Sequence, residues 1–166
     1  MAKQAFIRIM FVCHGNICRS TMAEFLMKDL VARRGLENQI FVASAATSSE
    51  EIGNPVHPGT REILEREHIS CKGKTAVQLR AQDYEYYDMF IGMDTANVRN
   101  MRRLFNHDPQ QKVYKLLEFA QGCTTDDAAD VADPWYTGDF ELTYTDCLRG
   151  CESLLAFLQA QCRYNR

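Results

Sequence analysis

Residues 5–35, AFIRIMFVCHGNICRSTMAEFLMKDLVARRG, decide the fold of this chain. The first nine are rich in β-branched and aromatic side chains, which predicts a buried strand that ends at Cys13. Apolar residues then recur at helical spacing, Thr21 and Glu24 have the spacing of a capping box, and Gly35 is a suitable helix stop. The stretch therefore predicts a strand, a short loop and a helix.

The alternation of strands and helices continues along the chain. Further strands are predicted at 39–45, at 86–93 and within 111–119, and further helices at 60–68, 95–105 and 140–162. Asp94 is placed to cap the helix that follows it. The polar stretch 46–59 and the long acidic stretch 120–139 are predicted loops. Because such alternation is typical of α/β proteins, we expect one domain, residues 1–166, built on a mostly parallel sheet.

The composition argues against two classes of binding partner, nucleic acids and membranes. The 166 residues carry a net charge of −3, so the overall field does not favour a nucleic acid. No apolar stretch approaches the roughly 20 residues that span a bilayer, and the N-terminus is predicted to be a strand rather than a signal peptide. We therefore expect neither a nucleic-acid partner nor a membrane partner.

The cysteines are predicted to be reduced. Their number, seven, is odd, which favours a cytoplasmic location over a disulfide framework. The chain has no C-x2-C pair and its four histidines are scattered, so no metal site is expected. Cys147 and Cys151 lie one helical turn apart, where a metal could bridge them, but they continue an apolar stripe of the last predicted helix. We interpret both as core residues.

The loop after the first strand has the residues of an anion site. In a parallel sheet it lies at the carboxyl end of the strand and at a helix N-terminus, where backbone N–H groups favour negative charge. Gly15 leaves room for a ligand, Asn16 tolerates a left-handed conformation, and Arg19 offers a planar fork to two phosphate oxygens. Cys13 is expected at the floor of this loop as a thiolate, to which Ser20 can donate a hydrogen bond. The pattern predicts a nucleophile that faces a bound phosphate.

Cleavage of a phosphate ester also requires a proton for the departing oxygen. We assign this proton to Asp133, in the stretch ADPWY (132–136). Pro134 restricts the local backbone, and Trp135 and Tyr136 are expected to form an aromatic wall for an aryl group. The neighbouring acids of the same stretch are interpreted as solvated: Asp126, Asp127 and Asp130.

These motifs together resemble one known family. CHGNICRS (13–20) with Asp133-Pro134 is similar to the low-molecular-weight protein tyrosine phosphatase family, and IGMDTANVRNM (91–101) and DFELTYTDCLRGCESLL (139–155) extend the likeness over nearly the whole chain. The resemblance implies a three-layer α/β fold of the flavodoxin-like, phosphotyrosine phosphatase I-like type. That fold has a four-stranded parallel sheet with helices on both faces.

The same resemblance implies an activity and the residues that carry it. The expected reaction is hydrolysis of protein phosphotyrosine and aryl phosphates through a phosphocysteine intermediate, by a monomer without metal or other cofactor. Cys13 is implied as the nucleophile, Arg19 as the clamp on the phosphate and the transition state, and Asp133 as the acid and then the base. The phosphate or another oxyanion is expected in a loop formed by His14, Gly15, Asn16, Ile17, Cys18 and Ser20. The partner is then a tyrosine-phosphorylated protein or peptide.

Two further roles are predicted around the loop. Cys18 is the expected redox partner of Cys13, because both belong to one loop and the family carries the same pair. The substrate rim is predicted at Ile17, Glu50, Glu51, Ile52, Trp135 and Tyr136.

The chain also departs from the family pattern at three places. The aromatic residue that the family often has on the opposite pocket wall is missing from SSEEIGN (48–54). Thr21 replaces the usual proline after the Arg-Ser pair. In CKGKTAVQL (71–79), Gly73 lies near the position of a histidine that supports the loop asparagine in the family. What supports Asn16 here is left open by the sequence.

Three alternatives use the same loop. Arsenate reductases need two further cysteines in a nearby mobile segment, where this chain has only Cys71. Protein-arginine phosphatases favour threonine at the position of Ile17, whereas an apolar residue suits the face of a phenyl ring. A phosphotyrosine-binding module without turnover is the non-enzymatic alternative, and the intact Cys13, Arg19 and Asp133 argue against it.

Overall fold

A four-stranded parallel sheet organises the chain in a computed structural model, which describes residues 6–164. The strands are β1 (Ile7–Cys13), β2 (Ile40–Ala46), β3 (Met89–Gly92) and β4 (Val113–Lys115), in the order β2-β1-β3-β4. Because β1 has a parallel neighbour on each side, its carboxyl end at Cys13 lies at the point where the strand order reverses. Ligands of open α/β sheets bind at such points. The predicted strand start at Ala5 and the predicted domain ends, 1–5 and 165–166, lie outside the described residues.

Helices cover both faces of the sheet, so the predicted three-layer fold is confirmed. The helices are α1 (Arg19–Arg33), α2 (Pro58–Arg66), α3 (Asp83–Tyr86), α4 (Thr95–Leu104), α5 (Glu118–Gln121), α6 (Pro134–Thr137) and α7 (Phe140–Tyr164). Alternate side chains of β1 point to opposite faces: Ile9 and Phe11 join the core under α1 and α7, and Met10 and Val12 join the core under α4.

Two of the helix ends predicted from the sequence are confirmed, and a third prediction is wrong. Gly35 has the left-handed φ of 65° that a helix stop favours, and Asp94 caps α4 by accepting a hydrogen bond from Asn97 N, as predicted. The predicted capping box of Thr21 and Glu24 does not form, so this prediction is wrong. α1 begins at Arg19, and the Thr21 hydroxyl donates to the backbone carbonyls of Ile17 and Cys18. Glu24 accepts a hydrogen bond from Ser44, outside the helix, instead of bonding to the helix start.

Three predicted boundaries move because short helices occupy their ends. The strand predicted from residue 86 begins only at Met89, since residues 83–86 form α3. The predicted loop 46–59 ends two residues earlier, at His57, whose Nδ1 accepts a hydrogen bond from Gly59 N at 3.0 Å. The predicted loop 120–139 contains α6 and the end of α5. Pro134 at the first position of α6 suits a helix start, because its missing N–H has no partner there in any case.

Cys147 and Cys151 lie in the core, as predicted. Both are fully buried where α7 packs against α1, and their sulfurs face the backbone carbonyls of Arg19 and Ala23. Burial raises the pKa of both thiols, so they stay neutral. Within residues 6–164, no helix is both long and apolar enough to cross a membrane.

Candidate active site

Cys13 ends β1 and lies at the bottom of the loop that leads into α1. Its Sγ accepts a hydrogen bond from Asn16 N at 3.3 Å and lies 3.0 Å from Ser20 Oγ. Asn16 has a φ of 60°, the left-handed conformation predicted for it. The loop therefore curls back over the sulfur and directs backbone and side-chain donors at it.

The side-chain amide of Asn16 is oriented by three partners. Its Nδ2 donates to Ser20 Oγ and to Ser44 Oγ, each at 2.8 Å, and its Oδ1 accepts from Val77 N at 3.1 Å. Because the Ser20 oxygen accepts from Asn16, its own proton is free to point at the sulfur, 3.0 Å away. A thiolate at Cys13 would thus accept a hydrogen bond from the Ser20 hydroxyl.

The support of Asn16, which the sequence left open, comes from a buried charge cluster behind the loop. Ser44 Oγ donates to the carboxylate of Glu24, which is 3% exposed. That carboxylate also pairs with Lys28 at 2.5 Å and with Lys74 at 3.4 Å. Lys74 Nζ donates in addition to Ser44 O at 3.0 Å. The residue next to Gly73, rather than Gly73 itself, therefore supports the loop.

Arg19 is held by three acceptors from two distant parts of the chain. Its guanidinium donates to Asp94 at 2.6 Å, to Val131 O at 3.2 Å and to Asp133 at 3.2 Å. Burial opposes its charge, but the negative charges of Cys13, Asp94 and Asp133 outweigh this and raise the pKa of Arg19. The guanidinium thus stays charged and anchored beside the loop. Its contact with Asp94 was not predicted, because that residue has only the pattern of a helix cap.

Asp133 reaches the loop from a position 114 residues further along the chain. Its Oδ1 accepts from Trp135 N at 3.1 Å and so caps α6, while its Oδ2 faces Arg19. The cap fixes the direction of the carboxyl group. The predicted acid therefore lies in the same cavity as the predicted nucleophile.

This cavity has a volume of about 370 Å³ and lies above Cys13. The predicted rim residues Ile17, Glu50, Glu51, Trp135 and Tyr136 line it with His14, Gly15 and Cys18. Ile52 was also expected at the rim, but it is 53% exposed and the structure does not bring it to the cavity. His14 Nε2 and Glu50 Oε2 are 3.0 Å apart, which joins the loop to the rim. The mouth thus has two acids on one side and two exposed aromatic rings on another.

Cys18 is a buried residue that lines the same cavity as Cys13. Burial, and secondly the charge of Cys13, raise the pKa of Cys18 to about 12. Its thiol is therefore protonated at neutral pH. No disulfide is present among the described residues, where both cysteines are free.

The three acids interpreted as solvated differ from one another. Asp127 is exposed, as expected. Asp126 pairs with Arg102 at 2.8 Å. Asp130 is 51% exposed, as expected of a solvated acid, but it also accepts from Thr95 N and pairs with Lys115, each at 3.0 Å. Burial opposes the charge of Asp130, but Lys115 outweighs it and lowers the pKa of that carboxyl group.

Comparison with known proteins gives one consistent result. A family model described as low molecular weight phosphotyrosine protein phosphatase matches residues 8–164. The chain is 43% identical over 155 residues to the low molecular weight protein-tyrosine-phosphatase YfkJ of Bacillus subtilis. The matched region covers 93% of this chain and 97% of YfkJ. The chain is 36% identical to PtpA, a protein of the same description from Staphylococcus epidermidis, over 92% of this chain and 94% of PtpA. The crystal structure of YfkJ superposes with a TM-score of 0.90 at 42% identity, over 96% of this chain and 99% of that one.

Proposed function

This chain belongs to the low molecular weight phosphotyrosine protein phosphatase family, and we infer from this that it is an enzyme that hydrolyses phosphotyrosine in proteins. The observation that carries the inference is the meeting of three groups in one cavity. Cys13 and Arg19 come from one loop and Asp133 comes from a distant one. A nucleophile, an anion clamp and a proton donor are the groups that transfer of a phosphoryl group through cysteine requires.

In the first step, the Cys13 thiolate attacks phosphorus and the bond from phosphorus to the phenolic oxygen breaks. Asp133 gives its proton to that oxygen, so tyrosine leaves neutral. Arg19 and the backbone N–H groups of the loop hold the equatorial oxygens, where charge is concentrated in the transition state. A hydrogen bond from the Ser20 hydroxyl stabilises the sulfur as a thiolate before attack and as a leaving group afterwards.

In the second step, water attacks the phosphocysteine. Asp133, now a carboxylate, takes a proton from this water, and the bond from phosphorus to sulfur breaks. Inorganic phosphate leaves and the Cys13 thiolate is restored. Both steps use only groups of this chain and water, so the reaction balances without a cofactor.

The cavity walls support an aryl substrate. Ile17 presents an apolar side chain, and Trp135 and Tyr136 are large rings at 61% and 85% exposure beside the mouth. A phenyl ring can pack between such groups while its phosphate reaches the sulfur. The shorter arm of phosphoserine would hold phosphorus too far from Cys13.

The test is release of phosphate from matched peptides that carry phosphotyrosine, phosphoserine or phosphoarginine, with arsenate reduction as a fourth arm. We expect turnover of the phosphotyrosine peptide far above the others. The Cys13→Ser variant should lose turnover and keep phosphate binding, whereas Cys71→Ser, at another buried thiol, should keep both. Turnover by Cys13→Ser well above a blank, or a preference for phosphoarginine or arsenate, would contradict the proposal.

We also propose that the enzyme works in the reducing cytoplasm as a monomer and is reversibly inactivated by peroxide. Peroxide oxidises the Cys13 thiolate to a sulfenic acid, and the hydroxide that leaves takes a proton from solvent and becomes water. The Cys18 sulfur then attacks the Cys13 sulfur, a disulfide forms and a second water leaves. A thiol reductant would restore both thiols. The position of both residues in one loop and in one cavity supports this step.

A further inference from the structure

The exposed side of α4 carries a group of cations that the phosphatase reaction does not use. Arg99 and Arg103 are exposed there, and Arg102 is partly exposed beside them. Residues 95–107 contain no acidic residue, although the chain as a whole has a net charge of −3. A local positive surface in an acidic protein is a feature that attracts an anionic partner.

Two of these cations lack an internal partner. Arg102 pairs with Asp126 at 2.8 Å. In the part of the chain whose side chains are described, by contrast, neither Arg99 nor Arg103 is in an ion pair. Their guanidinium groups therefore remain available for carboxylates, which arginine binds with two parallel hydrogen bonds.

Two surface depressions that share lining residues lie between the active-site cavity and these arginines. His14, which lines the active-site cavity, also lines an adjoining depression of about 550 Å³ with Ser48, Gln78 and Arg103. Arg103 in turn lines a second depression, of about 430 Å³, with Arg99. We call this path, from His14 through Gln78 to Arg103 and Arg99, the basic track.

The basic track has the length of a short peptide segment. α4 starts beside the active site, because Asp94 at its N-terminus accepts a hydrogen bond from Arg19. A rise of about 1.5 Å per residue places Arg99 about 8 Å and Arg103 about 14 Å from Asp94 along the helix axis. An extended peptide advances about 3.3 Å per residue and covers these distances in roughly two to four residues.

We propose that the basic track binds an acidic segment of the phosphoprotein substrate, with carboxylates about two to four residues from the phosphotyrosine. This proposal rests on the phosphotyrosine phosphatase activity proposed above and extends it to the sequence around the target. Glu50 and Glu51 line the mouth itself, so an acid directly beside the phosphotyrosine is repelled there. The surface therefore distinguishes acids by their distance from the phosphotyrosine.

The test compares kcat/KM for phosphotyrosine peptides that differ only by glutamate or glutamine two to four residues from the phosphotyrosine, on either side. We expect glutamate on one side to raise kcat/KM about 3- to 20-fold at low salt, the effect of two exposed ion pairs. Arg99→Gln with Arg103→Gln should abolish this preference and leave kcat/KM for a small aryl phosphate unchanged. The matched control is Arg61→Gln with Lys72→Gln, which removes two charges from exposed positions around another depression and should keep the preference.

The outcomes separate the two proposals. If neither peptides nor aryl phosphate are hydrolysed, the proposed function fails. If peptides are hydrolysed at equal rates with glutamate and glutamine, or if both double variants lose the preference alike, the basic track is not a substrate site. Competition by a short oligonucleotide where an acidic peptide has no effect would also overturn the proposal. An increase in ionic strength to 0.15 M should narrow the preference, because screening then acts over about 8 Å.

Discussion

The charge cluster of Glu24 and Lys74 allows a sharp test of how the loop between β1 and α1 is held in shape. Lys74 Nζ pairs with the Glu24 carboxylate and donates to Ser44 O, and Ser44 contacts the amide of Asn16. Lys28 pairs with the same carboxylate but is 46% exposed at the far side of the cluster. Lys74→Met is therefore the perturbation, and Lys28→Met is its matched control.

The expected magnitudes follow from these contacts. A hydrogen bond to a charged group contributes about 1.5–3 kcal/mol to stability, and loss of one partner of a buried pair costs more. Because Lys28 still pairs with Glu24, we expect Lys74→Met to lower the free energy of unfolding by about 2 kcal/mol. Less precise orientation of Asn16 should cost about 1 kcal/mol in the transition state, which is about fivefold in kcat/KM. Lys28→Met should change kcat/KM less than twofold.

Three measurements check this prediction: urea unfolding, kcat/KM for an aryl phosphate, and the rate at which iodoacetate alkylates Cys13 at neutral pH. The alkylation rate should fall with Lys74→Met, because Ser20 then stabilises the thiolate less. The double variant Glu24→Gln with Lys74→Met should lose less stability than the sum of the losses in the two single variants. In the double variant both charges are removed, so neither Glu24 nor Lys74 keeps a charge that has lost the other. The reasoning is refuted if Lys74→Met is destabilised while kcat/KM and alkylation equal those of Lys28→Met.

Three further predictions concern single residues. Asp133→Asn should lose about 10²–10⁴-fold in activity on phosphotyrosine and less on an ester whose leaving group departs without a proton, with Asp127→Asn as the silent control; equal losses on both substrates would indicate a structural role. After brief peroxide treatment, formation of the disulfide between Cys13 and Cys18 should speed up as pH rises, because the raised pKa of Cys18 keeps its thiol protonated at pH 7; mass spectrometry checks this, and a rate independent of pH would contradict it. Asp130 has a lowered pKa in the folded state, so its carboxylate stabilises the fold at pH 7 and loses this effect as pH falls through that pKa. Asp130→Asn should therefore lower the free energy of unfolding by about 1 kcal/mol at pH 7, and this difference should shrink in acid. A difference that grows in acid would contradict the prediction.

Much of the fold could be predicted because its determinants are local. The run of β-branched and aromatic residues in β1, the helical spacing in α1 and the turn preference of Gly35 depend on neighbours within a few positions. The loop between β1 and α1 carries Cys13 and Arg19 only six positions apart, so their meeting needs no knowledge of the rest of the chain. The role of Asp133 was already less local, since it depended on the chemistry of the leaving group and on resemblance to a family.

Tertiary packing alone decided which partners the buried charges take. Glu24 has the spacing of a helix cap, yet it pairs with Lys74 because the fold brings α1 and the loop after α2 together behind Asn16. Asp94 does cap α4, but its second oxygen holds Arg19, a contact across 75 positions. The basic track likewise exists only because the parallel sheet aligns the start of α4 with the loop between β1 and α1. A local pattern specifies which backbone a residue adopts, whereas the partner of a buried charge is chosen by whichever distant group the fold carries into reach.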